Sequence, residues 1–76
     1  MGLSHLPDAS GKEHRRTFEK LGWLCRRDGE HIIMTHPEHR TPISIPNHKK
    51  VKRQTLKAIL RGIGLTDEQY RVFFDS

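Results

Sequence analysis

The stretch Trp23–Met34, WLCRRDGEHIIM, decides the fold of this chain. Polar and apolar residues alternate on either side of Asp28-Gly29, a dipeptide that favours two-residue hairpin turns because both turn positions need positive φ. A tight turn also fixes the register, since strand partners follow by counting outward from it. The predicted pairs are Arg27 with Glu30, Arg26 with His31, Cys25 with Ile32, Leu24 with Ile33 and Trp23 with Met34.

This register divides the predicted hairpin into two faces. The core face carries Trp23, Cys25, Ile32 and Met34, with an Arg27–Glu30 pair at its rim. The opposite, more open face carries Leu24, Arg26, His31, Ile33 and Thr35. We therefore expect the His31 imidazole to lie beside the Arg26 guanidinium on the open side of the sheet.

The segment before the hairpin predicts a helix. Ser10 and Glu13 have the spacing of a capping box, so the helix is expected to begin near Gly11. Phe18 lies on its inner face, and Gly22 is typical of the left-handed residue that ends a helix. Residues 1–9 are interpreted as an N-terminal tail, for which order and disorder both stay open, ahead of a single domain over 10–76.

The segment after the hairpin predicts a third strand. Residues 37–40 favour a turn, and Ile43 and Ile45 then alternate with polar neighbours. Pro42 and Pro46 bracket this strand and cannot donate to a hydrogen-bond ladder, so an edge position is expected.

Two helices complete the chain. The clearest helical stripe, closed by Gly64, is Leu56, Ile59, Leu60 and Ile63. A second capping box at Thr66 and Gln69 predicts a short last helix, whose inner face would carry Tyr70, Phe73 and Phe74. The expected fold is therefore α+β: an α-β-β-β-α order, a three-stranded antiparallel sheet with helices on one face, and an added C-terminal helix.

Composition narrows the function. The 76 residues suit one small domain, and 14 Lys and Arg against 9 Asp and Glu leave a net charge of +5, which favours a polyanionic partner. No apolar run is long enough for a membrane span or a secretory signal. The single cysteine, Cys25, fits a reducing compartment, so a cytoplasmic protein is expected.

The order of these elements and several local motifs resemble the HicA family of bacterial toxins. The matching residues are Ser10-Gly-Lys-Glu13, Gly22-Trp23, Gly29-Glu30-His31, His36-Pro37, Ile43-Ser-Ile-Pro46, His48 and Thr55–Leu65. The resemblance runs from Ser10 to about Phe74. Two positions depart from the family pattern: Glu30 stands where Ser or Thr is usual, and Gln54 where Gly is usual.

The resemblance implies a small mRNA-cleaving toxin with a double-stranded-RNA-binding-domain-like fold, no metal or other cofactor, and a HicB-type antitoxin that covers it. It marks His31 as catalytic, in the role of general base or acid. The predicted register adds Arg26, which would stabilise a phosphate oxygen through its planar fork. An ordinary cross-strand surface cation is an equal alternative for Arg26.

A basic run supports an RNA partner. Its six cations, without an intervening acid, are Lys49, Lys50, Lys52, Arg53, Lys57 and Arg61. Such a run suits contact with an RNA backbone, and the alternative is a solvated face that keeps the protein in solution.

Other chemistry is disfavoured. A zinc site drawn from Cys25, His31, His36 and His39 conflicts with strand alternation, which sends His31 and His36 to opposite faces. Cys25 and the aromatic residues are interpreted as core residues instead.

Two function classes stay open. The first is a metal-independent endoribonuclease toxin acting through His31. The second is a non-catalytic RNA-binding module or an inactivated toxin homologue, which Glu30 favours because its negative charge beside His31 would repel phosphate.

Overall fold

A computed structural model describes residues 6–76 of the chain. The elements are α1 (Gly11–Lys20), β1 (Leu24–Asp28), β2 (His31–His36), β3 (His39–Pro46), α2 (Arg53–Ile63) and α3 (Asp67–Asp75). The strands form one antiparallel sheet in the order β1-β2-β3. This is the predicted α+β fold, with the predicted order of helices and strands.

The core lies between the helices and one face of the sheet. It consists of Leu6, Phe18, Trp23, Ile32, Met34, Ile43, Ile45, Val51, Leu56, Leu60 and Tyr70. Met34 and Ile43 are strand partners, as are Ile32 and Ile45, so both pairs project from the same face. The other face of the sheet is more open, because Leu24, His31 and Ser44 are exposed there.

Local signals set the ends of the helices as predicted. At α1 the Ser10 hydroxyl accepts from the Glu13 backbone N–H at 3.2 Å, and the Glu13 carboxylate accepts from the Ser10 N–H at 2.9 Å. Gly22 follows α1 with a φ of 96°. The capping box of α3 at Thr66 and Gln69 is likewise formed.

The apolar stripe of α2 faces the core as predicted. Leu56 and Leu60 are fully buried, and Ile59 and Ile63 are half-buried against them. Gly64 ends the helix in the left-handed conformation, with a φ of 74°.

The predicted inner face of α3 is wrong at one position. Tyr70 is buried and Phe74, four residues later, packs half-buried on the same side. Phe73 is 37% exposed, because its position turns it away from the Tyr70–Phe74 stripe.

β3 is an edge strand, as its prolines predicted. The turn that precedes it contains only Pro37 and Glu38, because His36 and His39 are strand partners. β3 therefore begins at His39, several residues before its apolar alternation becomes visible.

The two-residue turn predicted at Asp28-Gly29 is wrong. Asp28 pairs with Ile32, so residues 29–31 separate the two partners and the turn is wider by one residue. The φ of Gly29 lies outside the left-handed region, in contrast to Gly22 and Gly64. Gly29 therefore lacks the positive φ that a two-residue turn requires at this position.

A β-bulge at Arg26 adds a second change of register. Arg27 pairs with Ile33 on one side of the bulge, and Cys25 pairs with Met34 on the other, whereas Ile32 was the predicted partner of Cys25. At Cys25 the observed register therefore differs from the predicted register by two residues. Because side chains alternate between the faces with a period of two, this shift leaves each of them on its predicted face. Trp23, Ile32 and Met34 are buried as predicted for this reason.

The described part of the N-terminal segment packs onto the domain. Leu6 is 1% exposed and belongs to the core. Its carbonyl accepts from Arg53 Nε at 2.9 Å, and the Ala9 carbonyl accepts from the Val51 N–H at 2.9 Å. Residues 1–5, the first part of the segment interpreted as a tail, lie outside the described residues.

Candidate functional site

His31 begins β2 on the open face of the sheet. It pairs with Pro46 of β3, and its side chain is exposed, as the alternation of the strand predicted. It lines a shallow, open depression together with Arg27, Gly29, Glu30, Ile33 and Ser44. The imidazole is thus accessible to a large substrate.

The observed register places Arg27 on the same face as His31. Arg27 opposes Ile33 in the β1–β2 pair, and Ile33 opposes Ser44 in the β2–β3 pair, so these three residues form one row across the sheet. His31 precedes Ile33 by two residues and is therefore the diagonal neighbour of Arg27, at roughly 7–8 Å between backbones. A long arginine side chain spans that separation.

The predicted juxtaposition of Arg26 and His31 is wrong. Arg26 lies at the bulge, and its Nε donates to Thr35 Oγ1 at 2.9 Å. Thr35 is the partner of Leu24, toward the end of β1 that is remote from the turn. The phosphate-stabilising role of Arg26 depended on the predicted register and loses its support.

Glu30 lies at the exposed tip of the turn rather than opposite Arg27. Its carbonyl accepts from the Asn47 backbone N–H at 3.0 Å, and its side chain lines the same depression as His31. Within residues 6–76, no ion pair compensates the Glu30 carboxylate. The negative charge that distinguishes this chain from the family pattern is therefore next to the candidate site.

The six cations of the basic run are all exposed, but they differ in their partners. Asp8 lies 3.8 Å from Lys50 and 3.1 Å from Arg53, and Asp67 lies 3.5 Å from Lys57. Lys49, Lys52 and Arg61 have no ion pair within the described range. These three are accordingly the cations most available to a polyanion.

Sequence reasoning missed His14, a titratable side chain that is fully buried beside Tyr70. Its Nδ1 lies 2.6 Å from the Tyr70 hydroxyl, and its Nε2 is buried with no hydrogen-bond partner among residues 6–76. Burial lowers the pKa of His14 to about 4 and raises that of Tyr70 above its usual range. Its spacing of four from the core residue Phe18 was the available signal.

Two further histidines pack around Trp23 at the far end of the β2–β3 pair. The His36 and His39 rings lie 5.2 and 5.0 Å from the Trp23 ring. His36 Nδ1 accepts from the Glu38 backbone N–H at 3.0 Å, so that nitrogen is already used within the turn. Over the described part of the chain, no group of three or more His, Cys, Asp and Glu side chains is arranged to hold a metal ion.

Among residues 6–76, no helix combines the length and the apolar character that crossing a bilayer requires.

Comparison with known proteins and protein families identifies the family to which this chain belongs. A search of curated proteins finds no match. A family model described as the HicA toxin of bacterial toxin–antitoxin systems matches residues 11–65, well over half of the 76-residue chain. The matched range spans α1, the whole sheet and α2, and it includes the turn with His31. The chain belongs to the HicA family of bacterial toxins.

Proposed function

We propose that this protein is the toxin of a toxin–antitoxin pair and an endoribonuclease that cleaves mRNA in the cytoplasm. The observation that carries the proposal is the exposed His31 imidazole, diagonal to Arg27 on the open face of the sheet, in a chain of the HicA family. A shallow, open surface suits a polymer whose backbone must pass across it. The free cations Lys49 and Lys52 follow β3 in the chain and lie beyond its end at Pro46, where His31 is paired.

The chemistry requires little from the protein, because RNA supplies its own nucleophile. His31 takes the proton of a ribose 2′-hydroxyl, the O2′–P bond forms, and the P–O5′ bond breaks. The 5′-oxygen takes up a proton from solvent. Proton transfer by one positioned side chain is typically worth about 10²–10⁴-fold in rate.

Arg27 supplies the charge that the developing phosphorane needs. Its guanidinium is planar, permanently charged and matched to two oxygens of a phosphate. Stabilisation of developing charge is commonly the larger contribution to catalysis. On the observed register we therefore assign to Arg27 the role that the predicted register gave to Arg26.

A partner protein follows from the same proposal. A toxin that cleaves mRNA harms the cell that makes it, so an antitoxin, of the HicB type in this family, must cover the depression. The surplus of basic residues favours an acidic surface on that antitoxin.

Cleavage of a long RNA by the purified protein, with a chelator present, tests the enzyme assignment. We expect cleavage by the native chain, at least a 100-fold loss for His31→Ala, and a clear loss for Arg27→Ala. Arg26→Ala is the matched control and should retain most activity. Equal cleavage by the native chain and His31→Ala would refute the role of His31.

The second candidate is RNA binding without cleavage, which Glu30 favours. Its uncompensated carboxylate lines the depression with His31 and repels an approaching phosphate. In that case the native chain binds the RNA and leaves it intact. Recovery of cleavage by Glu30→Ser would then identify the protein as an inactivated toxin homologue.

A further inference from the structure

The turn that carries His31 has little packing of its own. Gly29, Glu30 and His31 are all exposed, and a Cβ placed at Gly29 would have no atom within 4 Å. The turn is also one residue wider than a two-residue turn, whose own backbone geometry would fix its conformation. Beyond the pairing of His31 with Pro46 and a 3.3 Å bond from the Gly29 N–H to the His31 carbonyl, contacts from other residues hold this turn.

Asn47, the residue after β3, makes those contacts. Its Nδ2 donates to the Gly29 carbonyl at 2.8 Å and to Asp28 Oδ1 at 3.2 Å. Its backbone N–H donates to the Glu30 carbonyl at 3.0 Å. One side chain and one peptide group thus bind three consecutive residues that lead into His31.

Asp28 extends this attachment to α1. Its Oδ2 accepts from Arg15 Nη1 at 2.6 Å, and its Oδ1 lies 3.7 Å from Lys12 Nζ. Hydrogen bonds in which one partner is ionised are about twice as strong as hydrogen bonds between neutral groups. The turn is consequently attached on one side to the end of β3 and on the other to the first half of α1.

We propose that Asn47 is a positioning residue, which holds the turn so that His31 meets the ribose of a bound RNA; this rests on the function proposed above. Asn47 itself does not touch the reacting atoms. A displacement of about 1 Å in a catalytic group can cost on the order of 10²-fold in rate. Loss of the amide should therefore lower kcat while RNA binding through the basic residues persists.

The test compares Asn47→Ala and Asn47→Asp with the native chain. Asn47→Ala removes both side-chain bonds, and Asn47→Asp also places a carboxylate against Asp28. Gln54→Ala is the control, because Gln54 is an exposed amide outside the depression that His31 lines. Assays are run at a temperature where circular dichroism shows every variant fully folded.

We expect kcat to fall about 10–100-fold in Asn47→Ala and at least as far in Asn47→Asp, with KM changed less than about threefold. Gln54→Ala should match the native chain. Heteronuclear NOE values at Gly29 and Glu30 should fall in both Asn47 variants, which reports the released turn directly.

The outcomes separate this proposal from the assignment of function. If His31→Ala is inactive but Asn47→Ala keeps native kcat, the positioning role is overturned while the function stands. If the native chain cleaves no RNA, the proposed function fails. The NOE values then test the attachment of the turn on their own. Unchanged values at Gly29 and Glu30 in Asn47→Ala would overturn the role of Asn47 in holding the turn as well.

Discussion

Gly11 is held at a place where no side chain fits. A Cβ there would collide with the backbone carbonyl oxygen of Pro46 and lie 3.0 Å from the Asn47 Cα. The Gly11 N–H also donates to the His48 carbonyl at 2.9 Å, so the first turn of α1 sits directly on the end of β3. Backbone cannot move aside as a flexible side chain does.

We expect Gly11→Ala to lower the free energy of unfolding by about 1–3 kcal/mol, the usual cost of overpacking. Gly29→Ala is the matched control. A methyl group at Gly29 would meet no atom within 4 Å and the φ there is not left-handed, so stability should stay level or rise by up to about 1 kcal/mol. Urea denaturation of both variants measures the difference, and equal midpoints would contradict the close approach.

His14 makes stability depend on pH. The pKa of His14 falls from 6.5 to about 4 because burial disfavours the imidazolium. The unfolded chain therefore binds the proton more readily than the folded chain. The contribution of neutral His14 to the free energy of unfolding is fully present above pH 6.5 and is lost as the pH falls toward 4.

Between pH 7 and pH 5 we expect the free energy of unfolding to fall by about 2 kcal/mol on account of His14. His14→Gln keeps a neutral polar group beside Tyr70 and removes the titration, so most of this slope should vanish. Urea titrations at the two pH values give the measurement. A slope that is the same in both proteins would place the ionisation elsewhere.

Among the elements, α2 contributes a buried stripe that can be tested by truncation. Leu60 is 1% exposed in the core. Leu60→Ala should cost about 2–5 kcal/mol, through lost burial and the cavity left behind. Val72 on α3 is 67% exposed, so Val72→Ala should change the urea midpoint very little. A small effect at Leu60 would mean that α2 presents a different face to the sheet.

The edges of the sheet are both protected against pairing with another chain. β1 carries the bulge at Arg26, and β3 carries Pro42 and Pro46. Bulges and prolines interrupt the row of backbone donors that a foreign strand would need. Neither edge is therefore a ready site for a strand of another protein to pair.

At the scale of the whole molecule, the charge distribution predicts how RNA binding responds to salt. Each cation that contacts a phosphate of a single strand adds roughly 0.7 to the slope of log K against log salt. Lys49→Ala with Lys52→Ala should therefore reduce the slope by about 1.4, because neither cation is neutralised within the described residues.

Lys57→Ala is the comparison, because Asp67 lies 3.5 Å from Lys57 and already compensates part of its charge. Its effect on the slope should be smaller than half the effect of the double variant at Lys49 and Lys52. Fluorescence anisotropy with a labelled RNA across a salt series measures all three proteins. Equal slopes throughout would remove the basic run from the RNA-binding surface.

The sequence by itself determined the features whose causes lie within a few residues of one another. The capping boxes at Ser10 and Thr66 and the burial of Leu56 and Leu60 depend on spacings of three or four. The end of α2 depends on a single residue, Gly64, which takes the left-handed conformation. It also determined that His31 faces outward, because alternation along one strand decides that.

Only the tertiary structure decided the register, and with it the neighbour of His31. The wider turn makes contacts that no local pattern encodes: Asn47 reaches 18 residues back to Gly29, and Arg15 pairs with Asp28, 13 residues ahead. Strand alternation is insensitive to a slip of two residues, so the same core faces fit several registers. The bonds to Asn47 hold the wider turn, and in the observed register Arg27 rather than Arg26 is the diagonal neighbour of His31.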